Sequence, residues 1–555
     1  MKNTRKTLYA IFFGAIFLGI VGFRQQDVYF EIAKNLDILT RLYRELHNNY
    51  VDEIEPNQLF REGVEAMLSS LDPYTNYISA SEVEDYRFLS TGQYGGIGAT
   101  IVEKNGSYFI TEIYQGTPAQ TGGINIGDEI VKIDNEELAK TKLKYEQVRD
   151  LLRGQPKTKI NVTVKRYKTP QPLSLTLTRE EIKVKNVPFS TVFSDKIGYL
   201  HLNSFTNDAS AEVRSAIESF KNKNPDLKGI ILDLRGNPGG LLNEAIQIAN
   251  LFIPRNEKVV ETKGRMEGSN VIYTAKDHPL DINIPLAVLI NGQSASASEI
   301  VSGVMQDLDR GIIVGQRSYG KGLVQKTVPL SYNSQLKLTT AKYYTPSGRC
   351  IQALDYQHRN AAGEAVKIPD SLIHEFKTKN GRIVKDGAGI LPDIQTPLVE
   401  YHPITKELVE QGIVFEFATQ FYYSNPSILP AKDFSITQEV YQQFSQFAHK
   451  KGFKYKTKSE EDLINLRESV KKESYHESVK QQLAVLEEQI QKEKENDFTD
   501  FQSEIKNILA QEITLRYYLQ AGRTENTLAQ DTEVQEARKT LLNQERYDKI
   551  LQKSK

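Results

Sequence analysis

Apolar positions along the chain change period several times, and each change marks a change of architecture. Over 28–88, Leu36, Ile38, Leu39, Leu42 and Leu46, then Leu59, Val64, Met67, Leu68 and Leu71, recur at mixed three- and four-residue spacing. That spacing predicts helices. Asp72-Pro73 ends the run with a turn. The period then shortens to two. Strands are predicted at 99–102 and 108–113, a helix at 145–152, and strands again at 160–166 and 173–177. From about 197 to 397, short runs that are apolar throughout alternate with helical stretches. The runs 229–234, 285–290 and 312–314 read as strands buried on both faces, and 209–221, 241–252 and 297–308 as helices. Such alternation predicts a layered α/β domain.

After about residue 400 the helical period returns, and Glu, Lys and Gln dominate from Lys456 onward. Val479, Leu483, Leu486 and Ile490 step by four, three and four, which suits a helix laid in a seam. Phe501, Ile505, Ile508, Leu509, Ile513 and Leu515 continue the theme. An amphipathic helical domain with a solvated charged face is expected, and a coiled-coil dimer arm is the sharper alternative. The organisation expected is therefore a signal segment over 1–27, a helical region over 28–88, a β-rich domain over 89–180, an α/β core over 186–400 and a helical region over 401–555.

The chain has 555 residues and a formal net charge of −1, so nothing global points to nucleic acid. Its single cysteine, Cys350, allows no intrachain disulfide, which suits the cytosol or a disulfide-free envelope protein equally. The first residues say more about location. Lys2, Arg5 and Lys6 precede an apolar stretch over 8–23, and the residues Arg24-Gln25-Gln26-Asp27 offer no small-x-small cleavage site. This predicts an uncleaved signal anchor with its positive end in the cytoplasm, and membrane attachment through that segment. A cleaved signal peptide is the close alternative. Either reading puts the rest of the chain in the cell envelope, anchored in the inner membrane facing the periplasm or secreted into the periplasm.

The β-rich segment opens with Gly92-Gln93-Tyr94-Gly95-Gly96-Ile97-Gly98 and continues through Gly116-Thr117-Pro118-Ala119 and Gly127-Asp128-Glu129-Ile130-Val131-Lys132-Ile133-Asp134. This order of turns and strands resembles a PDZ domain. The resemblance implies binding of protein or peptide C-termini. An extended tail adds to an open strand edge while backbone N–H groups hold its carboxylate. By position the loop is Gly95, Gly96, Ile97 and Gly98, with Ile97 also lining the pocket for an apolar last residue. Arg153, ending the PDZ helix in L-L-R-G, is a candidate link to the next domain.

The α/β segment excludes several chemistries. It has no H-E-x-x-H and no paired C-x-x-C, so no zinc motif appears, and neither a metal nor a cofactor is expected. It has no G-x-S-x-G elbow. Gly315 to Lys321 spells seven positions of a phosphate-binding loop, but Gly322 stands where Ser or Thr should hold magnesium, and a strand-like run follows. What remains is a serine-lysine pairing. Ser294, Ser296 and Ser298 lie in N-G-Q-S-A-S-A-S-E-I, and Lys321 lies between glycines in Y-G-K-G-L-V-Q. A desolvated lysine can take a serine proton, because burial favours the neutral amine. The turn Arg235-Gly236-Asn237-Pro238-Gly239-Gly240 follows a strand and opens a helix, so Gly239 and Gly240 can offer N–H groups to an oxyanion, with Ala297 as a second source. Gln325, four residues past Lys321 on an extended run, falls on the same face as the lysine.

D-L-R-G-N-P-G-G, S-A-S-A-S-E-I and Y-G-K-G-L-V-Q together resemble the C-terminal processing, or tail-specific, serine peptidase family, as do Thr345-Pro346-Ser347-Gly348-Arg349 and Gly389-Ile390-Leu391-Pro392-Asp393-Ile394. The resemblance covers roughly 30–400. It implies a ClpP/crotonase-like layered protease core with an inserted PDZ domain and helical regions at both ends. It also implies Ser296 as nucleophile, Lys321 as base and Gln325 as support. Spacing alone leaves the three serines open. A catalytically inactive PDZ scaffold is the alternative function, and an adaptor, a regulator and a homo-oligomer are left open as partners.

Overall fold

The structure, a computed structural model, describes residues 28–398, 400–473 and 476–552. The apolar stretch 8–23 lies outside the described residues. Among the described residues no helix is long and apolar enough to cross a membrane. The chain divides into two compact units, one running to Tyr77 with Leu336–Leu338, the other comprising Ile78–Gln335 and Thr339–Lys555.

The first unit carries a helix over 28–49 and the helix Pro56–Ser69. Pro56 sits at the start of its helix, where a missing N–H leaves no hydrogen bond unmade. Phe60 meets Tyr77 edge to face at 5.8 Å. Leu36, Leu39 and Leu42 are exposed.

In the second unit the sheet of the β-rich segment is antiparallel throughout. Its order is Ala99–Lys104, Ser107–Ile113, Glu129–Ile133, Lys159–Lys165, Leu173–Thr178. Ile110, Ile130, Val162 and Leu177 point inward against Val148 and Leu152 of the helix Tyr145–Leu152. Those two helix residues are four apart, so they share one face.

Among the described residues the α/β sheet has six strands, in the order Phe189–Val192, Ile197–His201, Gly229–Asp233, Leu286–Ile290, Ile312–Gly315, Ile394–Gln395. The first pair is antiparallel and the rest are parallel. Successive side chains alternate between faces. Leu200, Ile230, Leu232, Val288 and Ile313 join one core, under the helices Ala209–Lys223, Leu242–Asn250 and Ala297–Asp307. Tyr199, Ile231, Ala287, Leu289 and Val314 join another, on the opposite face. That second face is covered by Leu528, Val534, Ala537, Leu541, Tyr547 and Leu551.

Residues of the helical region expected over 401–555 thus cover one face of the α/β core expected over 186–400. The helices Thr532–Leu541 and Gln544–Ile550 form a layer on that sheet. Tyr547 also accepts a hydrogen bond from the Leu286 N–H at 3.0 Å. The helix Gln502–Leu528 leads to them, with Leu519 at φ 57 and ψ −159 breaking its course. Leu515 and Leu519 of that helix pack on the PDZ core, and Arg523 pairs with Glu112 at 2.9 Å. The helices Pro403–Glu410, Ile413–Ser424 and Gln438–Lys450 form a separate core with it around Leu408, Phe417, Phe444 and Leu509. The expected seam over 479–490 lies on the helix His476–Lys494, which Arg467–Glu487 (2.6 Å) and Lys494–Glu460 (2.8 Å) tie to the helix Lys458–Lys472 of the same chain.

Candidate active site

The three serines of S-A-S-A-S have different surroundings. Ser294 is fully buried, donates to the Leu234 carbonyl at 2.8 Å and accepts from the Asn291 N–H at 2.9 Å. Ser298 is fully buried and donates to the Asn237 carbonyl at 2.9 Å. Both are structural pins. Ser296 is half-buried and stands directly before the helix Ala297–Asp307, at φ 55 and ψ −111. A serine there is strained by about 1–3 kcal/mol and persists only when its surroundings hold it.

Two side chains do the holding. Glu299 is 0% exposed. Its Oε2 accepts from the Ser296 N–H at 2.8 Å and from the Lys321 N–H at 2.9 Å. Its Oε1 accepts from the Ser318 hydroxyl at 2.5 Å and from the Gly320 N–H at 2.7 Å. Burial pushes the Glu299 carboxyl above its ordinary range, and the four donors push back. With every partner a donor, the group acts as an acceptor on both oxygens. Tyr343, on the strand Gln335–Tyr344, shares its hydroxyl between the Ser296 carbonyl at 3.1 Å and the Lys321 carbonyl at 2.6 Å. The backbones of Ser296 and Lys321 are thus fastened to the same carboxylate and the same phenol. Glu299 had a sequence signal, the S-x-x-E spacing of a helix cap. Tyr343 had none, because its strand reaches the site only through the fold.

Lys321 stands where the backbone passes closely between neighbours. A Cβ on Gly320, whose φ is +88, would lie 2.4 Å from that of Ala353, and one on Gly322 would lie 2.8 Å from the Gln352 nitrogen. The strand Leu323–Pro329 follows. A phosphate-binding loop would feed a helix there, so the partial motif Gly315 to Lys321 lacks that context.

The glycine turn lies against the serine. A Cβ on Gly239, whose φ is +101, would come within 2.9 Å of both the Ser296 Cβ and the Ala297 nitrogen. Asn237 joins the two segments, accepting from Ala295 N–H at 3.1 Å and from Ser298 through its carbonyl. Its Oδ1 accepts from the Gly239 N–H at 2.8 Å. The Gly239 N–H is therefore already engaged within the turn. Gln325 donates to the Thr339 hydroxyl at 3.2 Å.

Arg153 does not reach the protease core directly. Its guanidinium pairs with Asp85 on the helix Val83–Thr91 and lies over the rings of Phe88 and Tyr94, at 5.8 and 5.1 Å. That helix in turn meets the core: Tyr86 hydrogen-bonds Thr327, on the strand after Lys321, at 2.6 Å. In the PDZ loop, Gly95 and Gly96 are paired with Glu181 and Glu180 in a short antiparallel ladder, so the turn itself is Ile97 and Gly98. Ile97 is 2% exposed and belongs to the core of that domain. A cleft of about 1060 Å³ lies elsewhere, between the PDZ sheet and the C-terminal helices, lined by Phe109, Phe415 and Leu515 among others; none of Ser296, Lys321 or Gln325 belongs to it.

The chain is 38% identical over 332 residues to the carboxy-terminal-processing protease of Bartonella bacilliformis, covering 60% of this chain and 74% of that one. The chain belongs to the carboxy-terminal-processing protease family. Residues 196–357 match the profile of peptidase family S41, 109–166 that of a PDZ domain, and 404–541 that of the C-terminal helical domain of a probable PDZ-protease. The last match gives a family to the region that the motifs left unplaced. A probable CtpA-like serine protease of Staphylococcus aureus strain N315 is 33% identical over 319 residues, 57% of this chain and 62% of that relative. Among solved structures, the photosystem II D1 C-terminal processing protease aligns at 25% identity and a TM-score of 0.36, covering 64% of this chain and 92% of that one. The protease is therefore a serine-type peptidase that carries a PDZ domain.

Proposed function

We propose that the protease cleaves envelope proteins selected by their C-termini, with Ser296 as nucleophile and Lys321 as its base. The observation that carries this reading is the double anchorage of both residues on Glu299 and Tyr343. Neutral Lys321 takes the hydroxyl proton as Ser296 Oγ bonds to the peptide carbonyl carbon. The oxyanion is held by N–H groups of Ala297 and the Gly239-Gly240 turn, chiefly Gly240. As the C–N bond breaks, Lys321 gives the proton to the leaving amine. Water then attacks the acyl-enzyme, passing a proton to Lys321, which returns it to Ser296. Gln325 supports the lysine from the following strand.

The tail is held at the Gly95, Gly96, Ile97, Gly98 segment, with Ile97 lining the pocket for an apolar last residue. The ClpP/crotonase-like assignment of the layered core rests on family resemblance. The basic cluster ahead of 8–23 supports anchoring in the inner membrane, with the catalytic unit in the periplasm.

The test is Lys321→Arg. Arginine keeps the charge but yields no neutral amine near neutral pH. Hydrolysis of an unfolded protein with an apolar C-terminus, assayed without ATP or metal, should fall to background in Lys321→Arg and in Ser296→Ala while the thermal melt is retained. Substantial turnover in Lys321→Arg would overturn the lysine-base assignment.

A further inference from the structure

A single carboxylate of the C-terminal layer holds both loops of the active site. Glu533, on the helix Thr532–Leu541, is 8% exposed. Its Oε2 accepts from Arg235 Nη1 at 2.6 Å. Arg235 opens the turn that runs to Gly239 and Gly240. Its Oε1 accepts from Gln316 Nε2 and from the Thr396 hydroxyl, the latter at 2.8 Å. Gln316 opens the loop that runs to Lys321, and its N–H donates to the Ile290 carbonyl at 3.0 Å, at the end of the strand preceding the serine segment. Arg235 is further held by Asp233 at 2.5 Å and Asp531 at 2.8 Å. Asp531 caps the same helix, accepting from the N–H groups of Glu533 and Val534. The residue that bridges the two loops is therefore locked at its own backbone.

We infer that Glu533 is a positioning residue: it sets the oxyanion turn and the lysine loop against each other, so the C-terminal helical layer is part of what aligns the catalytic groups. This rests on the Ser296–Lys321 reading. Glu533 touches no reacting atom and acts through Arg235 and Gln316. Its carboxylate suits the task because both oxygens accept, one for each loop. A glutamine has one acceptor oxygen, and its amide nitrogen would face a donor. It keeps the shape and can hold only one loop.

The test compares Glu533→Gln, Gln316→Ala and the unsubstituted protein on a short fluorogenic peptide without a PDZ-binding tail. Misplacing one loop by a fraction of an ångström should lower kcat by about 10–100-fold, with KM within about twofold. Labelling of Ser296 by a fluorophosphonate should slow in the same proportion, and the thermal midpoint should stay close to that of the unsubstituted protein. A merely structural role would lower activity only as far as the folded fraction falls, and that result would overturn the inference. So would unsubstituted kcat in Glu533→Gln. Should Glu533→Gln not fold, Gln316→Ala decides alone, because it removes the lysine-loop contact and leaves Arg235 paired. If Ser296→Ala remains active, the Ser296–Lys321 reading fails first; if it is dead while both other variants turn over normally, only the positioning inference fails.

Discussion

Arg235 and Arg153 each clasp one part of the protease to another, at different depths. Arg235 joins the strand end before the Gly239-Gly240 turn to the C-terminal helix, and it pairs with Asp233, Asp531 and Glu533. Its partner Asp233 is 2% exposed. Arg153 joins the PDZ helix to the helix Val83–Thr91, and its carboxylate partner Asp85 keeps 43% of its side-chain surface in solvent. Burial removes water as an alternative partner, so breaking the Arg235 cluster strands a charge, whereas Asp85 can turn to solvent. The same residue type thus makes a buried joint beside the Gly239-Gly240 turn and a half-exposed one beside the PDZ domain.

The comparison breaks most completely if the C-terminal layer is removed. A chain ending at 527 would uncover Tyr199, Ile231, Ala287, Leu289 and Val314 on one face of the protease sheet. Calorimetry should find no cooperative protease transition, and the chain should aggregate on warming. A normal transition would mean that the layer only decorates the core.

Next in size is Arg235→Ala. Asp233 would remain buried without its cation, which costs about 3–5 kcal/mol. Denaturant unfolding should show that loss, and a change below 1 kcal/mol would place the cluster with ordinary surface pairs. Acid sharpens the point. Burial alone would raise the Asp233 carboxyl, but Arg235 outweighs it and holds the group below its ordinary value. A depressed carboxyl contributes stability above the ordinary aspartate range near 4, and loses it as pH falls through the folded value. The acid limb of a stability profile should therefore be shallower in Asp233→Asn, whatever that variant costs at neutral pH.

How much of this the residues announce depends on range. The PDZ helix is predicted at 145–152 and found at Tyr145–Leu152, because Tyr145, Val148 and Leu152 signal it locally. Buried strands such as Leu286–Ile290 show as short runs apolar throughout. The two segments that Glu299 and Tyr343 fasten together show in the sequence as small residues around Ser296 and glycines around Lys321. The cover of the second sheet face is not legible, since Val534, Ala537 and Leu541 form a stripe that would suit any apolar surface. Tyr343 and Glu533 act on segments far away in sequence, and no local spacing records such a contact. The PDZ loop was half legible: its glycines show, but their pairing with Glu180 and Glu181 depends on a strand that returns 80-odd residues later.

The smallest effect on stability, and the one that asks whether the outer clasp gates the site, is expected of Arg153→Ala. The variant loses an ion pair to Asp85 and cation contacts to Phe88 and Tyr94, while Arg149 still holds Asp85 at 2.8 Å. About 0.5–1 kcal/mol is the expected cost. The consequence for turnover is separate. The helix that Arg153 grips touches Thr327 through Tyr86, six residues past Lys321, so a shift of that helix reaches the strand carrying Gln325. If an occupied PDZ domain favours one position of that helix, occupancy shifts the population of aligned sites by its differential affinity for the two positions. Hydrolysis of a short peptide lacking a PDZ-binding tail should then change in Arg153→Ala and in a chain without 90–180. Unchanged turnover in both would leave the PDZ domain as a tether, and would make the outer clasp a joint of the same inert kind as many exposed ion pairs.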